Sequence, residues 1–350
     1  MSRGLVLGKF MPPHAGHLFL VDFARRMVDE LTVVVGTLAS EPIPGALRHQ
    51  WMRELSPGCE VLHLRDENPQ DPSEHPDFWG IWRRSLLRTM PRRPDVVFAS
   101  EPYGERLAAE LGARFVPVDL ERQALPISGT AVRRDPWAHW RHLPACVRAH
   151  YVRRVSIFGP ESTGKSTLAA QLARRYGTVA VPEYARTWLE SQDCICRIEH
   201  MELIACGQGA AEDALARVAD RLLICDTDPL ATALWSDALF GRVPAALMEA
   251  SQGRRYALTL LLDVDVPFVE DPIRYLPGRR AEFFERCAAG LNDAGRPVLV
   301  LRGDWSERWS CACAAIDALL VADGRLPPAP GPPPAGALEN SNSNSNSNYQ

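Results

Sequence analysis

A chain of 350 residues, 46% hydrophobic and 23% charged, carries enough apolar material for about two globular cores. Its formal net charge of −4 argues against a protein that coats nucleic acid, though it leaves room for a local basic pocket. No apolar run approaches ~18 residues, so no membrane span is expected. The chain opens directly on an apolar strand, with neither a basic n-region nor a cleavage site. Arginine is abundant and lysine scarce, which reads mostly as codon supply. The nine cysteines, at 59, 146, 194, 196, 206, 225, 287, 311 and 313, form neither a disulfide framework nor a four-ligand zinc spacing. The two C-x-C pairs could take a soft metal, but incidental thiols are the simpler reading. A reducing cytoplasm fits all of this.

Two segments share one grammar: a short apolar run, a Gly-containing loop, then a helical pattern. The first is Gly4–Gly8, a loop to His17, and a helix over Leu18–Leu31. Further strands are expected at 32–35, 60–64, 95–99 and 114–118, with helices near 46–55, 78–90 and 103–111. The polar and aromatic stretch 136–152 closes this half. The second half starts again at Arg154–Phe158, with later strands at 179–181, 222–225, 258–262 and 297–301 and helices at 167–176, 196–218, 229–239 and 281–289. Such alternation predicts α/β architecture: two doubly wound parallel-sheet domains, over 1–148 and 149–325. Past about Leu326 the composition falls to Pro, Gly and Ala and then an Asn-Ser repeat, read as a disordered tail over 326–350.

The strongest local signal is Gly159-Pro160-Glu161-Ser162-Thr163-Gly164-Lys165-Ser166, which fits G-x-x-x-x-G-K-[ST] between an apolar strand and a helix. The glycines let backbone N–H groups of Glu161 to Thr167 face a polyphosphate at a helix N-terminus. Lys165 would reach the β and γ phosphates, and the Ser166 hydroxyl would ligate Mg²⁺. Asp226 directly follows the apolar run 222–225, the Walker B arrangement, and would be the carboxylate partner of that metal. Glu183, Tyr184 and Arg186 follow the strand 179–181 and would lie at the same carboxyl edge of the sheet. Glu183 could accept the proton of an attacking hydroxyl and Arg186 could fix substrate; a plain surface turn fits the spacing equally well. Asp228 is a second carboxylate at the Walker B strand, and Arg274, Arg279 and Arg280 sit in a Pro- and Gly-punctuated segment suited to a lid.

In the first half the loop reads Gly8-Lys9-Phe10-Met11-Pro12-Pro13-His14-Ala15-Gly16-His17. Two histidines three apart at a helix start can point both imidazoles at one anion, and Gly16 allows a ribose or base to approach. A zinc reading lacks a third ligand at a convincing spacing. The partner string is Ile127-Ser128-Gly129-Thr130-Ala131-Val132-Arg133, with hydroxyls at Ser128 and Thr130 and a guanidinium fork at Arg133. Taken alone, that string would also read as a helix cap.

These residues carry a resemblance. The first half resembles the nucleotidylyltransferase superfamily, with its HxGH loop and ISxTxxR motif. The full pattern is similar to the bacterial family of bifunctional nicotinamide-mononucleotide adenylyltransferases and ribosylnicotinamide kinases. It rests on the histidine loop, Ser100-Glu101-Pro102-Tyr103-Gly104, Ile127–Arg133 running into Asp135-Pro136-Trp137, the cradle, Glu183–Arg186 and Asp226-Thr227-Asp228, and covers Leu5 to about Arg302. Members of this family often carry an N-terminal helix-turn-helix repressor domain. Met1 lies only a few residues before the first strand, so DNA-binding regulation is not expected here.

The resemblance implies two ATP-dependent reactions: phosphorylation of nicotinamide riboside, then adenylyl transfer to nicotinamide mononucleotide, giving NAD and pyrophosphate. For the adenylyl step it implies His14, His17, Lys9 and Arg133 on the phosphates, with Gly8, Phe10, Gly16, Ser128 and Thr130 around the nucleotide. For the kinase step Lys165 and Asp226 carry the phosphates and metal, and Glu183 or Asp228, with Glu183 preferred, orients the nucleophilic hydroxyl. Tyr184 and Arg186 are read as substrate contacts, and Tyr103 and Trp235 as aromatic candidates across the two sites for which core packing is the stronger reading. Trp79 and Trp82 are further aromatic candidates, with core packing as the alternative. The expected ligands are ATP, Mg²⁺ and the two nicotinamide substrates, with no nucleic acid or membrane partner and a homo-oligomer left open. Rival readings keep the chemistry with another acceptor, such as cytidylyl or pantetheine-phosphate transfer, or make the chain an ATP-binding regulator with little turnover.

Overall fold

In the computed structural model, which describes residues 1–323, the contacts divide the chain into two units, Met1–His150 and the residues from Tyr151 on. The tail expected over 326–350 lies outside the described residues.

The first unit runs β1 (Arg3–Gly8), α1 (Ala15–Arg25), β2 (Glu30–Gly36), α2 (Gly45–Leu55), β3 (Glu60–Leu64), α3 (Phe78–Thr89), β4 (Val96–Ala99), α4 (Tyr103–Leu111), β5 (Arg114–Pro117), α5 (Gly129–Arg134) and α6 (Ala145–Tyr151). Its sheet has the order β3-β2-β1-β4-β5, with every pair parallel. Successive strand residues point to opposite faces, so Val6, Val33, Val35 and Phe98 pack with Leu20, Val21 and Ala24 of α1 and Met52 of α2. Leu5, Val34 and Val97 pack on the other face with Leu86 of α3 and Leu107, Ala108 and Leu111 of α4. Both faces are covered, which is why these strands read as continuous apolar runs. The chain leaves β1 toward β2 and returns on β1's other side as β4, so the sheet's switch point lies at the carboxyl end of β1.

The second unit runs β6 (Arg153–Phe158), α7 (Lys165–Arg175), β7 (Val179–Val181), α8 (Tyr184–Glu190), α9 (His200–Ala216), β8 (Leu222–Asp226), α10 (Pro229–Phe240), α11 (Ala245–Gln252), β9 (Leu258–Leu262), α12 (Arg280–Asp293), β10 (Val298–Leu301) and α13 (Trp305–Ala322). All pairs in its sheet, β10-β9-β6-β8-β7, are parallel. One face packs on α7 and α13, through Leu168, Leu172, Trp309 and Ile316. On the other, Phe158 and Leu261 pack with α10 and α12, through Leu230, Phe283 and Leu291. Both units are doubly wound α/β sheets, as the alternation predicts.

Two boundaries differ from expectation. The helix expected over Leu18–Leu31 stops at Arg25, because the Ser2 carbonyl accepts the N–H groups of Asp29 and Glu30 and starts β2 there. Val28 and Leu31 join the core from a turn and a strand. The helix expected from Cys196 starts at His200, since Asp193 and Cys194 take φ of 50° and 58° in a turn. Helices α6, α8, α11 and α13 have no counterpart in the sequence reading, and α5 only as the helix cap that Ile127–Arg133 also allowed.

Arg308 on α13 has a side chain 0% exposed to solvent. Its guanidinium donates to the carbonyls of Thr163 (3.0 Å), Asp263 (3.1 Å) and Gly303 (3.1 Å) and pairs with Asp265. It thereby pins the loops that follow β6, β9 and β10. Removing one partner of a buried pair strands the others, at a cost of about 3–5 kcal/mol. Arg308→Met should therefore lower the unfolding free energy of the second unit by up to that amount, read as a lower midpoint in a denaturant titration; an unchanged midpoint would show that the clamp is dispensable.

Candidate functional site

Each unit has its own cavity at the carboxyl end of its central strand. The first, of about 560 Å³, is lined by the loop after β1, by Tyr103, and by the start of α5. His14 takes extended backbone (φ −146°, ψ 172°) as the residue before α1, so both histidines sit at a helix N-terminus. Their rings stack with centroids 3.7 Å apart, and Phe10, itself 1% exposed, meets His17 edge-on at 5.0 Å. The His14 N–H donates to Nδ1 of His17 at 3.3 Å, which assigns the proton of a neutral His17 to Nε2. Burial, reinforced by Arg122 and His142, pushes the His14 imidazole down to about 4; burial and then His14 push His17 well below its ordinary value. Nδ1 of His14 is buried without a hydrogen-bond partner. These imidazoles are therefore neutral donors at pH 7, and the fixed positive charge comes from elsewhere.

That charge is Lys9 and Arg133. Lys9 Nζ lies 3.1 Å from Glu41, whose carboxylate also pairs with Arg48, 0% exposed. Arg48 donates to the Lys9 carbonyl at 2.6 Å and the Ile43 carbonyl at 3.0 Å, so it fixes the loop that carries Lys9. Arg133 donates to the Met11 carbonyl at 2.6 Å and to the Thr130 hydroxyl at 3.0 Å, docking α5 onto the histidine loop. Ser128 caps α5 by accepting from the Ala131 N–H at 3.1 Å. Gly129 is required by that docking, because a Cβ there would lie 2.9 Å from the Met11 carbonyl oxygen. The Tyr103 hydroxyl donates to the Leu7 carbonyl at 2.8 Å, and Tyr103 lines the cavity. Gly8, Gly16, Ser128, Thr130, Trp79 and Trp82 line the same space. Glu41, Arg48 and Arg122 were not legible in the sequence, since no motif frames them. Arg122 also lines the cavity, 3.0 Å from Glu101.

The second cavity, of about 520 Å³, is lined by 161–167, Glu183, Arg186, Trp235 and Arg274. The cradle's curl is built by Gly159 (φ 133°), Ser162 (φ 58°) and Gly164 (φ 90°). Gly159 does not line the space; it lets β6 pass β9, where a Cβ would sit 2.7 Å from the Leu262 carbonyl oxygen. Lys165 Nζ donates to the Pro160 carbonyl at 2.8 Å. Because Ile157 pairs with Asp226 across β6 and β8, the strand-end carboxylate falls beside the cradle. It is 3% exposed, hydrogen-bonded to Ser166, and its Oδ1 is buried without a partner. Burial first, and the Glu183 carboxylate second, push Asp226 above the usual carboxylate range. A hydroxyl beside an orphaned buried carboxylate oxygen is a donor set that fits a hard divalent cation. Among the described residues no group of three or more His, Cys, Asp and Glu is placed to hold a metal, so the C-x-C pairs gather no third ligand. Nor is any described helix long and apolar enough to cross a membrane.

Four residues named as ligand contacts in this unit have their side chains engaged elsewhere, although Glu161 still lines the cavity. Asp228 is 0% exposed; it caps α10 through the Leu230 N–H (2.8 Å), accepts from Ser156 (2.8 Å) and faces Arg296 at 3.6 Å. Tyr184 turns its ring onto α9, where a Cβ on Gly207 would come within 2.1 Å of it. Arg279 pairs outward with Glu282 at 2.5 Å, while Arg280 reaches the Ser162 carbonyl at 3.3 Å. Glu161 spends its carboxylate on the N–H groups of Tyr275 and Leu276. Spacing alone does not resolve which of these side chains turns to the cavity. Trp235 does line the cavity, its ring 4.1 Å from Phe283.

A family model described as an AAA domain matches residues 154–308. The Trifunctional NAD biosynthesis/regulator protein NadR of Escherichia coli (strain K12) is 28% identical over 295 residues, 78% of this chain and 72% of that protein. The chain resembles NadR along both units. Two solved structures, of NadR protein in complex with NR and in complex with NAD and AMP-PNP, superpose with TM-scores of 0.74 and 0.71. Each is 22% identical, covers 91% of this chain and 95% of its own, and shares its fold.

Lys9 and Lys165 are the only two lysines in the 350 residues, against a combined 39 lysines and arginines. An amine-directed reagent should thus label only these two side chains and the chain's amino terminus; peptide mapping should show ATP protecting both. Labelling unaffected by ATP would place the lysines outside the phosphate sites. The neutral imidazoles predict a pH effect of stated sign. Between pH 6.5 and about 4 the unfolded chain takes up a proton on His14 that the folded unit refuses, so stability falls as pH drops through that window. The loss is about 3 kcal/mol for His14, and His14→Gln should flatten the stability–pH profile of the first unit by that amount.

Proposed function

We propose that the chain is an NAD-salvage enzyme with two ATP sites. The second unit would phosphorylate nicotinamide riboside, and the first would join the resulting mononucleotide to the adenylyl group of ATP. The observation that carries this reading is that each unit gathers its motif residues, Lys9, His14, His17, Ser128, Thr130 and Arg133 in one and Ser162 to Thr167 with Glu183 and Arg274 in the other, around one cavity at the carboxyl end of its central strand. Sequence similarity to NadR over both units, and the ligands named for the solved NadR structures, NR, NAD and AMP-PNP, support the choice of substrates. Such an enzyme would work in the cytoplasm, where ATP is supplied.

In the second unit, the cradle N–H groups and Lys165 hold the β and γ phosphates. Ser166 and Asp226 would hold Mg²⁺, which when bound neutralises charge on those phosphates. The riboside 5′-hydroxyl oxygen attacks the γ-phosphorus as the bond to the β-phosphate oxygen breaks. Glu183, in the cavity beside Asp226, takes the hydroxyl proton, and ADP leaves. Arg274 and Arg186 meet the charge on the group in transit.

In the first unit, a phosphate oxygen of the mononucleotide attacks the α-phosphorus of ATP, and the bond to the β-phosphate breaks to release pyrophosphate. The Nε2–H of His17 donates to the phosphates, and Lys9 and Arg133 supply positive charge; releasing Lys9 from Glu41 is part of binding. Trp82, its Nε1–H held by the Pro69 carbonyl at 2.8 Å, offers a flat apolar wall for an aromatic base.

Incubation with ATP, Mg²⁺ and nicotinamide riboside, followed by chromatography, should yield mononucleotide and then NAD. Lys165→Ala should abolish riboside phosphorylation while NAD still forms from added mononucleotide; His17→Ala should do the reverse, with adenylyl transfer slowed by a factor of about 10²–10³. Joint loss of both activities in folded variants would defeat the two-site reading, and turnover only with another acceptor would defeat the assigned substrate.

A further inference from the structure

We propose that Glu161 is a positioning residue of the phosphoryl-transfer site: it ties the arginine-bearing segment 264–280 to the phosphate cradle and so aims Arg274. The proposal rests on the kinase reading of the second unit. Glu161 occupies a cradle position where the motif prescribes no residue type. It is 8% exposed, and both carboxylate oxygens are engaged: Oε2 accepts from the Tyr275 N–H at 2.9 Å and Oε1 from the Leu276 N–H at 2.8 Å. A carboxylate committed in this way is available neither to a metal nor to a substrate proton.

The next cradle residue repeats the device. Ser162 Oγ accepts from the Val269 N–H at 2.8 Å, and its carbonyl accepts from Arg280 at 3.3 Å. Two consecutive cradle residues thus hold the segment near its start, middle and end. The far side of the segment is fastened to other elements, Asp271 to Arg186 of α8 at 3.1 Å and the Tyr275 hydroxyl to the Cys194 carbonyl at 2.7 Å. Between these anchors lies Arg274. Its guanidinium stands 5.6 Å over the Phe268 ring, it lines the cavity, and its Nη1 is buried with no hydrogen-bond partner. An unpaired buried guanidinium nitrogen beside a phosphate cradle is suited to an anionic oxygen, and the residue that sets its position is the one that bonds the two N–H groups following it.

Glu161→Gln keeps the shape but replaces one acceptor oxygen with an NH₂ that faces an N–H donor. The test has two arms. Hydrogen exchange, run with ATP present, should show the Tyr275 and Leu276 amides losing at least tenfold of their protection in Glu161→Gln. Riboside-dependent ADP formation should fall at least tenfold in kcat in Glu161→Gln and in Arg274→Ala. The double variant should be no slower than Arg274→Ala alone, because the tether acts through that arginine. Adenylyl transfer by the first unit should keep its wild-type rate throughout. Amides that stay protected in Glu161→Gln, or single effects that multiply in the double variant, would overturn the proposal. A wild-type chain that makes no ADP from riboside would instead sink the assigned substrate, and the exchange arm would still decide the tether.

Discussion

A parallel strand that ends among its neighbours' carboxyl ends and turns at once into a helix leaves the first N–H groups of that helix unpaired and aimed at one point. Both units of this chain are organised around that constraint. In the first, β1 feeds α1 through the histidine loop, and in the second, β6 feeds α7 through the cradle. Each of these strands is central in its five-stranded order, so the bend falls where the connections part to opposite sides of the sheet and a crevice opens. The remaining site residues come from strands or helices adjacent to that bend.

What the two bends recruit differs. The first recruits aromatic donors that burial keeps uncharged, so its positive charge is delegated to Lys9 and Arg133. The second recruits an acidic pair, Asp226 and Glu183, balanced by Lys165. The use of lysine follows the same division. Arginine serves nearly every other cationic position, including two fully buried ones, Arg48 and Arg308, that clamp backbone carbonyls. A planar fork suits several fixed carbonyls at once, whereas a compact ammonium on a flexible stem suits a phosphate that must be gripped and released.

Buried polar groups also explain why neighbours in the sequence have different fates. Asp226 and Asp228 flank Thr227, whose φ is 69°. The turn sends one carboxylate to the cradle and the other to the cap of α10 and Ser156. Arg279 and Arg280 divide likewise, one paired with Glu282 on the surface and one bonded to the cradle. Within the cradle, Glu161 faces the segment after β9 while Lys165 faces the phosphate side. An unsatisfied buried carboxylate or guanidinium is costly enough that such partners decide orientation.

Most of the strand pattern, the two phosphate motifs and the α/β class could be read directly from residue order, because they depend on local periodicity and on glycines at a single bend. The ten strands were expected within a few residues of where they lie, most clearly the central ones such as β1, β4, β6 and β8, whose apolar residues are buried on both faces of the sheet. Short helices such as α5 and α8 were not, because one or two turns give too few residues for a repeating apolar stripe; α13 was missed although Trp309, Cys313, Ile316 and Leu320 form a stripe at helical spacing. Glu161, Asp228, Arg48 and Arg308 each have at least one partner far off in sequence, up to 145 residues for Arg308 and Thr163. Only the closed fold brings such groups within hydrogen-bonding distance, so only the tertiary structure could decide which charged side chains face a ligand and which hold the walls around it.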